Sequence, residues 1–202
     1  MLSPVAQLLK QRTAHAHERI EASLGLLDTA LTAERLRAVL ARFAGFWQGT
    51  ERLVDDWAAR RPELAEALSW PRRRRGEVLR QDLLRFGMTV RELTELPEAP
   101  PVFTVVDDAD VLGWLYVSEG STLGGAVIDR TVRTLPEAAQ LRLRTFTPYL
   151  EGPGPMWRAY LDQLQDWVGG DAARRDGVVA AAEGTFAALE SWLSSMRGEV
   201  AA

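Results

Sequence analysis

The stretch Tyr116–Ile128, YVSEGSTLGGAVI, lies between two apolar segments whose spacing predicts helix. It places three glycines within six residues, at Gly120, Gly124 and Gly125. Each glycine inside a helix costs ~1 kcal/mol relative to alanine. A helix that lacks side chains along one strip lets its backbone approach another group closely, and it bends more easily. The stretch therefore predicts either a flat ligand against this helix or a tight crossing of two helices.

The rest of the chain also has apolar residues at helical spacing, and alternating β-branched runs are nearly absent. A proline-rich stretch over residues 87–108 is predicted to be a long connection with at most a short helical turn. No internal repeat or shift in composition marks a boundary. The sequence therefore predicts one all-α domain over residues 1–202, a helical bundle with helices over about 3–24, 32–59, 76–86, 107–134, 136–144, 155–168 and 172–196.

The composition limits the classes of function. The chain carries 24 Lys+Arg and 28 Asp+Glu, a net charge of −4, which argues against nucleic acid as the main partner. The basic run Arg72–Arg75 is interpreted as a solvated turn before a helix. The lack of cysteine excludes disulfides and thiolate metal sites and fits a cytoplasmic location. No apolar run approaches the ~20 residues that cross a bilayer, so no membrane association is expected.

The chain has two histidines, and the spacing around one of them indicates a binding face. His15 and His17 are two residues apart, so on a helix they point about 200° apart and cannot share a site. Lys10 lies seven residues before His17 and returns to within ~20° of it, roughly 10 Å along the axis. Thr13 and Glu21 lie on the same side. This face suits a flat, iron-bearing ligand with acidic tails; a helix histidine with a satisfied polar tip is the alternative.

Two segments resemble motifs of a known family. Thr13–Glu21 (TAHAHERIE) is similar to the proximal helix of heme oxygenases, and Leu115–Ile128 (LYVSEGSTLGGAVI) is similar to their distal helix. The Glu-Gly-Ser form, together with Thr185–Leu193 (TFAALESWL), resembles the bacterial branch often found with bacteriophytochromes. The resemblance covers most of the chain. It implies a single-domain helical bundle of the heme oxygenase type, with heme between the first helix and a glycine-kinked distal helix.

The resemblance assigns roles around the heme. His17 is the implied axial ligand of the heme iron, and Glu21 helps to hold that side of the ligand. Lys10 and Arg158 are implied to contact the heme propionates. The other side chains expected to contact heme are those of Thr13, Tyr116 and Phe186.

On the distal side, the resemblance implies that the backbone at Gly120, Gly124 and Gly125 lies over the heme and leaves room for bound oxygen. Many family members carry an aspartate directly after the first glycine, where it organises water. This sequence has Ser121 there, as the Glu-Gly-Ser branch does. Water held near Ser121 is the expected source of protons.

The implied activity is O₂- and electron-dependent cleavage of heme to biliverdin, Fe²⁺ and CO, with heme as both substrate and cofactor. Nothing in the sequence resembles a nucleotide-binding loop, so electrons are expected from an external reductase or ferredoxin. A bacteriophytochrome is one candidate acceptor of the bilin, and iron recovery is the other purpose. Three alternatives stay open: a heme carrier or sensor without turnover, a helical interaction module without a ligand, and another all-α enzyme.

Overall fold

The computed structural model describes residues 3–104 and 106–194. These residues form only helices and connections, which confirms the all-α prediction. The helices are α1 (Pro4–Leu24), α2 (Ala33–Arg60), α3 (Pro62–Ala67), α4 (Trp70–Arg73), α5 (Gly76–Arg85), α6 (Val90–Thr94), α7 (Asp108–Gly120), α8 (Gly125–Val132), α9 (Pro153–Val168) and α10 (Ala172–Ser194). No helix within the described ranges is long and apolar enough to cross a bilayer.

Polar side chains fix the starts of the long helices. The Ser3 and Thr32 side chains accept hydrogen bonds from backbone N–H groups in the first turns of α1 and α2. Asp107 and Asp110 form a reciprocal capping box at the start of α7. Such caps satisfy N–H groups that have no partner within the helix. The predicted starts of these helices agree with the structure within about one residue, whereas the predicted end of α10 at Met196 lies outside the described residues.

Two predicted helices differ from the structure. The helix expected over 107–134 is interrupted by turns over 121–124, so it forms α7 and α8 instead. The helix expected over 136–144 is wrong, because 136–141 form turns and 142–144 have no regular structure. Arg142 in that segment has φ 50°, a left-handed conformation that ends helical continuation. So short a segment would also be a marginal helix on its own.

The packing brings α1 and α7 together against α10. Helix α10 packs against both of them, and α9 contacts both as well. The crossing of α7 and α10 is close because Gly113 has no side chain. A Cβ there would lie 2.6 Å from the Val178 carbonyl oxygen and 2.7 Å from the Ala182 backbone nitrogen. The tight helix crossing that the sequence allowed at the 120–125 glycines is therefore found at Gly113.

Two ion pairs hold α1 in register along α10. Arg12 binds Glu183 through two N–H groups at 2.7 and 3.1 Å, and Arg19 binds Glu190 in the same way at 2.7 and 2.8 Å. The partners are seven residues apart on both helices, which is about two turns. Each exposed pair is weak alone, but two bidentate pairs specify one register. His17 lies between the two arginines on α1.

The basic run at 72–75 is only partly a surface feature. Arg73 and Arg75 are 1% and 6% exposed, so the interpretation as a solvated turn is wrong for these two residues. The Arg75 guanidinium donates to the Thr145 carbonyl oxygen at 3.0 Å. Arg72 and Arg74 do lie at the surface, in ion pairs with Glu151 and Asp55. Alternate residues of the run therefore point in opposite directions.

Candidate active site

Helix α1 presents the four residues predicted for the proximal face. The His17 side chain is 49% exposed, and its Nδ1 lies 3.6 Å from Oε2 of Glu21 one turn later. This leaves Nε2 as the nitrogen that can bind a ligand. Thr13 is buried, and its hydroxyl donates to the Leu9 carbonyl oxygen at 2.8 Å. Lys10 is exposed.

The buried Phe186 of α10 stands beside His17. The two ring centroids are 6.1 Å apart and the planes meet at 79°, an edge-to-face arrangement. Such packing restricts rotation of the imidazole. The structure thus brings Phe186 and His17 together, which the sequence placed together only through the resemblance.

Tyr116 of α7 faces α1 across the site. Burial raises the pKa of its phenol, and a hydrogen bond with the Thr13 side chain acts in the opposite direction. The Tyr116 ring lies 5.6 Å from that of Trp157 on α9. A Cβ at Gly120 would lie 3.9 Å from the same indole. Sequence reasoning missed Trp157, whose only signal is an aromatic residue one position before Arg158.

The three glycines of the distal stretch have three different surroundings. A Cβ at Gly120 would make ordinary contact with Trp157, and one at Gly124 would meet nothing within 4 Å. A Cβ at Gly125 would lie 2.8 Å from the Phe146 carbonyl carbon and closer still to its oxygen. Gly124 therefore leaves open space, whereas Gly125 allows the backbone of residue 146 to approach α8.

Ser121 is exposed in the turn between α7 and α8. Its hydroxyl donates to the Ser118 carbonyl oxygen at 2.7 Å, which leaves the Ser121 oxygen as an acceptor. On the same segment, the Leu123 and Val127 side chains are each 45% exposed. The segment thus combines open backbone, one hydroxyl and apolar side chains, a surface that suits a flat apolar ring with polar edges.

Lys10 and Arg158 are the cations predicted to bind acidic tails. Both are exposed, on α1 and α9 respectively. Neither is paired with a carboxylate in the ranges 3–104 and 106–194. Helix α9 contacts α1 as well as α7, so the two cations stand on neighbouring elements. His15 is 91% exposed and takes no part in this face.

The donor set suits iron held by a porphyrin. Among the described residues, no group of three or more His, Asp or Glu side chains could hold a metal ion. A single histidine is the usual proximal ligand where a porphyrin supplies the equatorial nitrogens. His17, the open backbone at Gly124 and the exposed cations fit such a group.

A separate cleft lies at the other end of α7 and contains none of the predicted site residues. It has a volume of about 480 Å³ and is lined in part by Trp57, Arg61 and Trp167. All three donate hydrogen bonds to the Asp108 carboxylate. Burial alone would raise the pKa of Asp108, but these bonds together hold it below its ordinary value. Asp108 therefore acts as a structural anion here.

Comparison with known proteins gives a consistent result. The family model described as heme oxygenase matches residues 3–195. A heme oxygenase from Xanthomonas campestris pv. campestris (strain 8004) is 31% identical over 165 residues, which cover 82% of this chain and 92% of the relative. A crystal structure of the NO- and CO-bound heme oxygenase from Neisseria meningitidis has the same fold, with a TM-score of 0.73 at 20% identity, covering 96% of this chain and 92% of that one.

Proposed function

Because the chain belongs to the heme oxygenase family and is a heme oxygenase enzyme, we propose that it cleaves heme to biliverdin, Fe²⁺ and CO. The proposed site lies between α1 and the turn after α7. The observation that carries this proposal is the half-exposed His17, with Nδ1 beside Glu21 and its ring against Phe186. O₂ and electrons from a separate donor protein are the other reactants.

On the proximal side, His17 would hold the heme iron through Nε2. The Glu21 carboxylate near Nδ1 favours a hydrogen on that nitrogen, so the lone pair is at Nε2. Phe186 keeps the imidazole plane fixed. Bound heme supplies the iron at which O₂ is activated and the ring that is opened.

At the edges, Lys10 and Arg158 are the proposed partners of the propionates. Their charges, attached to two different helices, would fix the rotation of heme in its plane. That rotation decides which meso carbon faces the oxygen site and therefore which biliverdin isomer forms. Thr13 and Tyr116 close the space between α1 and α7, and burial raises the pKa of the Tyr116 phenol.

On the distal side, Gly120 and Gly124 are proposed to leave room for a diatomic ligand, because neither position carries a side chain into the site. The Ser121 oxygen, whose proton is directed to Ser118, can accept a hydrogen bond from water and so hold it at the turn. The role of Gly125 is indirect: it lets residue 146 support the start of α8.

A heme carrier or sensor without turnover is the second candidate. The observation that favours it is at Ser121, because its only hydroxyl proton is donated to the backbone. No acidic side chain stands at positions 120–125 to organise water. Both functions use the same proximal face and differ only in whether bound heme is degraded.

An absorption time course separates the two candidates. Purified chain is reconstituted with hemin and followed in air with ascorbate or a ferredoxin system, for wild type, His17→Ala and His15→Ala. His15 is a matched control, because its Nδ1 also lies 3.6 Å from a glutamate, Glu18, on the same helix.

We expect wild type to lose the Soret band while a broad red bilin band grows. This change should be impaired in His17→Ala and unchanged in His15→Ala. A stable ferric or oxy spectrum in wild type would establish a carrier or sensor. Equal turnover by both histidine variants would remove His17 from the role of ligand.

We also propose that residues 1–202 form one domain of the bacteriophytochrome-associated branch, with a bacteriophytochrome as one candidate acceptor of the bilin and iron recovery as the other purpose. The Glu-Gly-Ser motif at residues 119–121 supports this branch assignment through its resemblance to that branch. A cytoplasmic location, with an external reductase or ferredoxin as donor, stays a prediction.

A further inference from the structure

A buried ion pair stands directly before the distal turn. Glu119, the residue before Gly120, is 0% exposed, and Arg73 of α4 is 1% exposed. Their atoms Nη1 and Oε2 lie 2.6 Å apart and meet as an ion pair rather than as a well-aligned hydrogen bond. The Tyr149 hydroxyl donates to the other carboxylate oxygen at 2.6 Å. Neither charge takes part in the proposed chemistry.

The Arg73 guanidinium contacts three other segments. Besides Glu119, it donates to the carbonyl oxygen of Leu68, and through Nη2 to that of Met156 at 3.0 Å. The connection between α3 and α4, the end of α7 and the start of α9 are therefore held by one side chain. Tyr149 adds the segment before α9.

Glu119 also holds the turn through its backbone. Its carbonyl oxygen accepts the Thr122 N–H at 3.0 Å and the Thr122 hydroxyl at 2.7 Å. The side chain of Glu119 is thus anchored to the core, while its carbonyl shapes the first residues of the turn. A shift of the carboxylate would move both.

Stability alone does not account for such a pair. Taking two charges out of water is costly, and an apolar pair of similar volume often stabilises a core as well or better. What the group provides is direction, because the hydrogen bonds from the Tyr149 hydroxyl to Glu119 and from Arg73 to the Leu68 and Met156 carbonyl oxygens hold both charged side chains in one geometry. We propose that Arg73, Glu119 and Tyr149 are positioning residues that fix the turn over 121–124, the distal wall of the heme site. This inference rests on the proposed function in one respect only, namely that the turn covers a heme site.

Amide hydrogen exchange on the ligand-free chain tests the positioning directly. The variants are Tyr149→Phe, Glu119→Gln and the apolar double variant Arg73→Met/Glu119→Leu. Glu51→Gln is the matched control, because Glu51 is also a buried carboxylate but accepts from the backbone N–H groups of residues 75 and 76.

For Tyr149→Phe and Glu119→Gln, exchange at residues 121–125 should rise by about tenfold to a hundredfold relative to the core amides of α2, as expected for loss of a hydrogen bond to a charge. The control should leave 121–125 unchanged. The double variant also removes the partners of the Leu68 and Met156 carbonyl oxygens and of the Tyr149 hydroxyl, so its unfolding midpoint should fall, and exchange in the turn should rise by more than exchange in α2. Hemin affinity should fall in all three variants.

If amide exchange rises equally at α2 and at 121–125, then Arg73, Glu119 and Tyr149 only stabilise the fold, and the proposal is overturned. Wild-type exchange in the double variant would do the same. If the wild-type chain binds no hemin, the proposed function fails, whereas the exchange comparison still decides whether the cluster fixes the turn.

Discussion

Alanine at Gly124 and at Gly125 should have opposite effects, although the two glycines are adjacent. Gly124 has φ −79° and ψ −10°, a conformation that alanine adopts without strain, and its Cβ would meet nothing within 4 Å. Gly124→Ala should therefore stabilise the ligand-free chain by about 0.4–1 kcal/mol, because it restricts the unfolded state. For a chain of this length the midpoint should rise by roughly 1–4 °C.

Gly125→Ala should destabilise the chain. The new Cβ would lie under 3.0 Å from both carbonyl atoms of Phe146, so backbone must move. That backbone cannot yield easily, because the neighbouring Thr145 N–H and hydroxyl both donate to the fully buried Asp82, each at 2.7 Å. Overpacking of this kind costs about 1–3 kcal/mol, which lowers the midpoint by roughly 2–12 °C.

Thermal unfolding with and without hemin is the assay. If Gly124 leaves space for heme, its alanine variant should gain stability without hemin and lose hemin affinity, whereas Gly125→Ala loses stability in both conditions. Wild-type hemin affinity in Gly124→Ala would refute the assignment of that open space to the ligand. A stable Gly125→Ala would refute the account of its packing.

Three further outcomes are expected. Lys10→Ala should weaken hemin binding about two- to fivefold, or change the ratio of biliverdin isomers, and wild-type values of both would leave it a surface lysine. The pKa of Asp108 lies below its ordinary 3.8, so the ionised carboxylate stabilises the fold above that pH, and this contribution is lost as pH falls. Asp108→Asn should therefore be less stable than wild type at pH 7, and the difference in stability should shrink in acid. Burial raises the pKa of Glu51 above its ordinary 4.5, so wild type loses stability as pH rises through that region. Glu51→Gln, which carries no charge, should become more stable relative to wild type over the same pH range. One series of unfolding midpoints against pH checks both signs.

The helices could be predicted where an apolar stripe continues without a break. Helices α1, α2 and α5 follow their stripes to within about one residue, because burial of that face decides their length. The break after α7 could be suspected from its glycines, but its position depends on residue 146 and on Thr122, which hydrogen-bonds Glu119. The segment over 136–144 had a helical pattern that was too short to hold a helix.

Helical geometry alone predicted which residues share the face of α1 that carries His17, and the proximal role of that face stays a prediction. Lys10, Thr13, His17 and Glu21 recur at three- and four-residue steps, and the structure places His17 and Glu21 in contact. The opposite wall could not be derived in this way, since Trp157 reaches the site from another helix. Periodicity within one helix carries no information about which side chain arrives from elsewhere.

The arginine run shows the same limit for charge. Four consecutive arginines suggest a solvated surface, because an isolated buried charge is costly. Arg73 is buried because its partners, Glu119 and the Met156 carbonyl oxygen, come from distant parts of the chain, and they make the charge tolerable only once the fold is complete. The contacts of Glu119, the glutamate of the Glu-Gly-Ser motif, therefore explain why a glutamate stands there, which the motif alone does not show. Its side chain lies in the core against Arg73 and Tyr149, while its carbonyl oxygen accepts from Thr122 in the turn that follows α7.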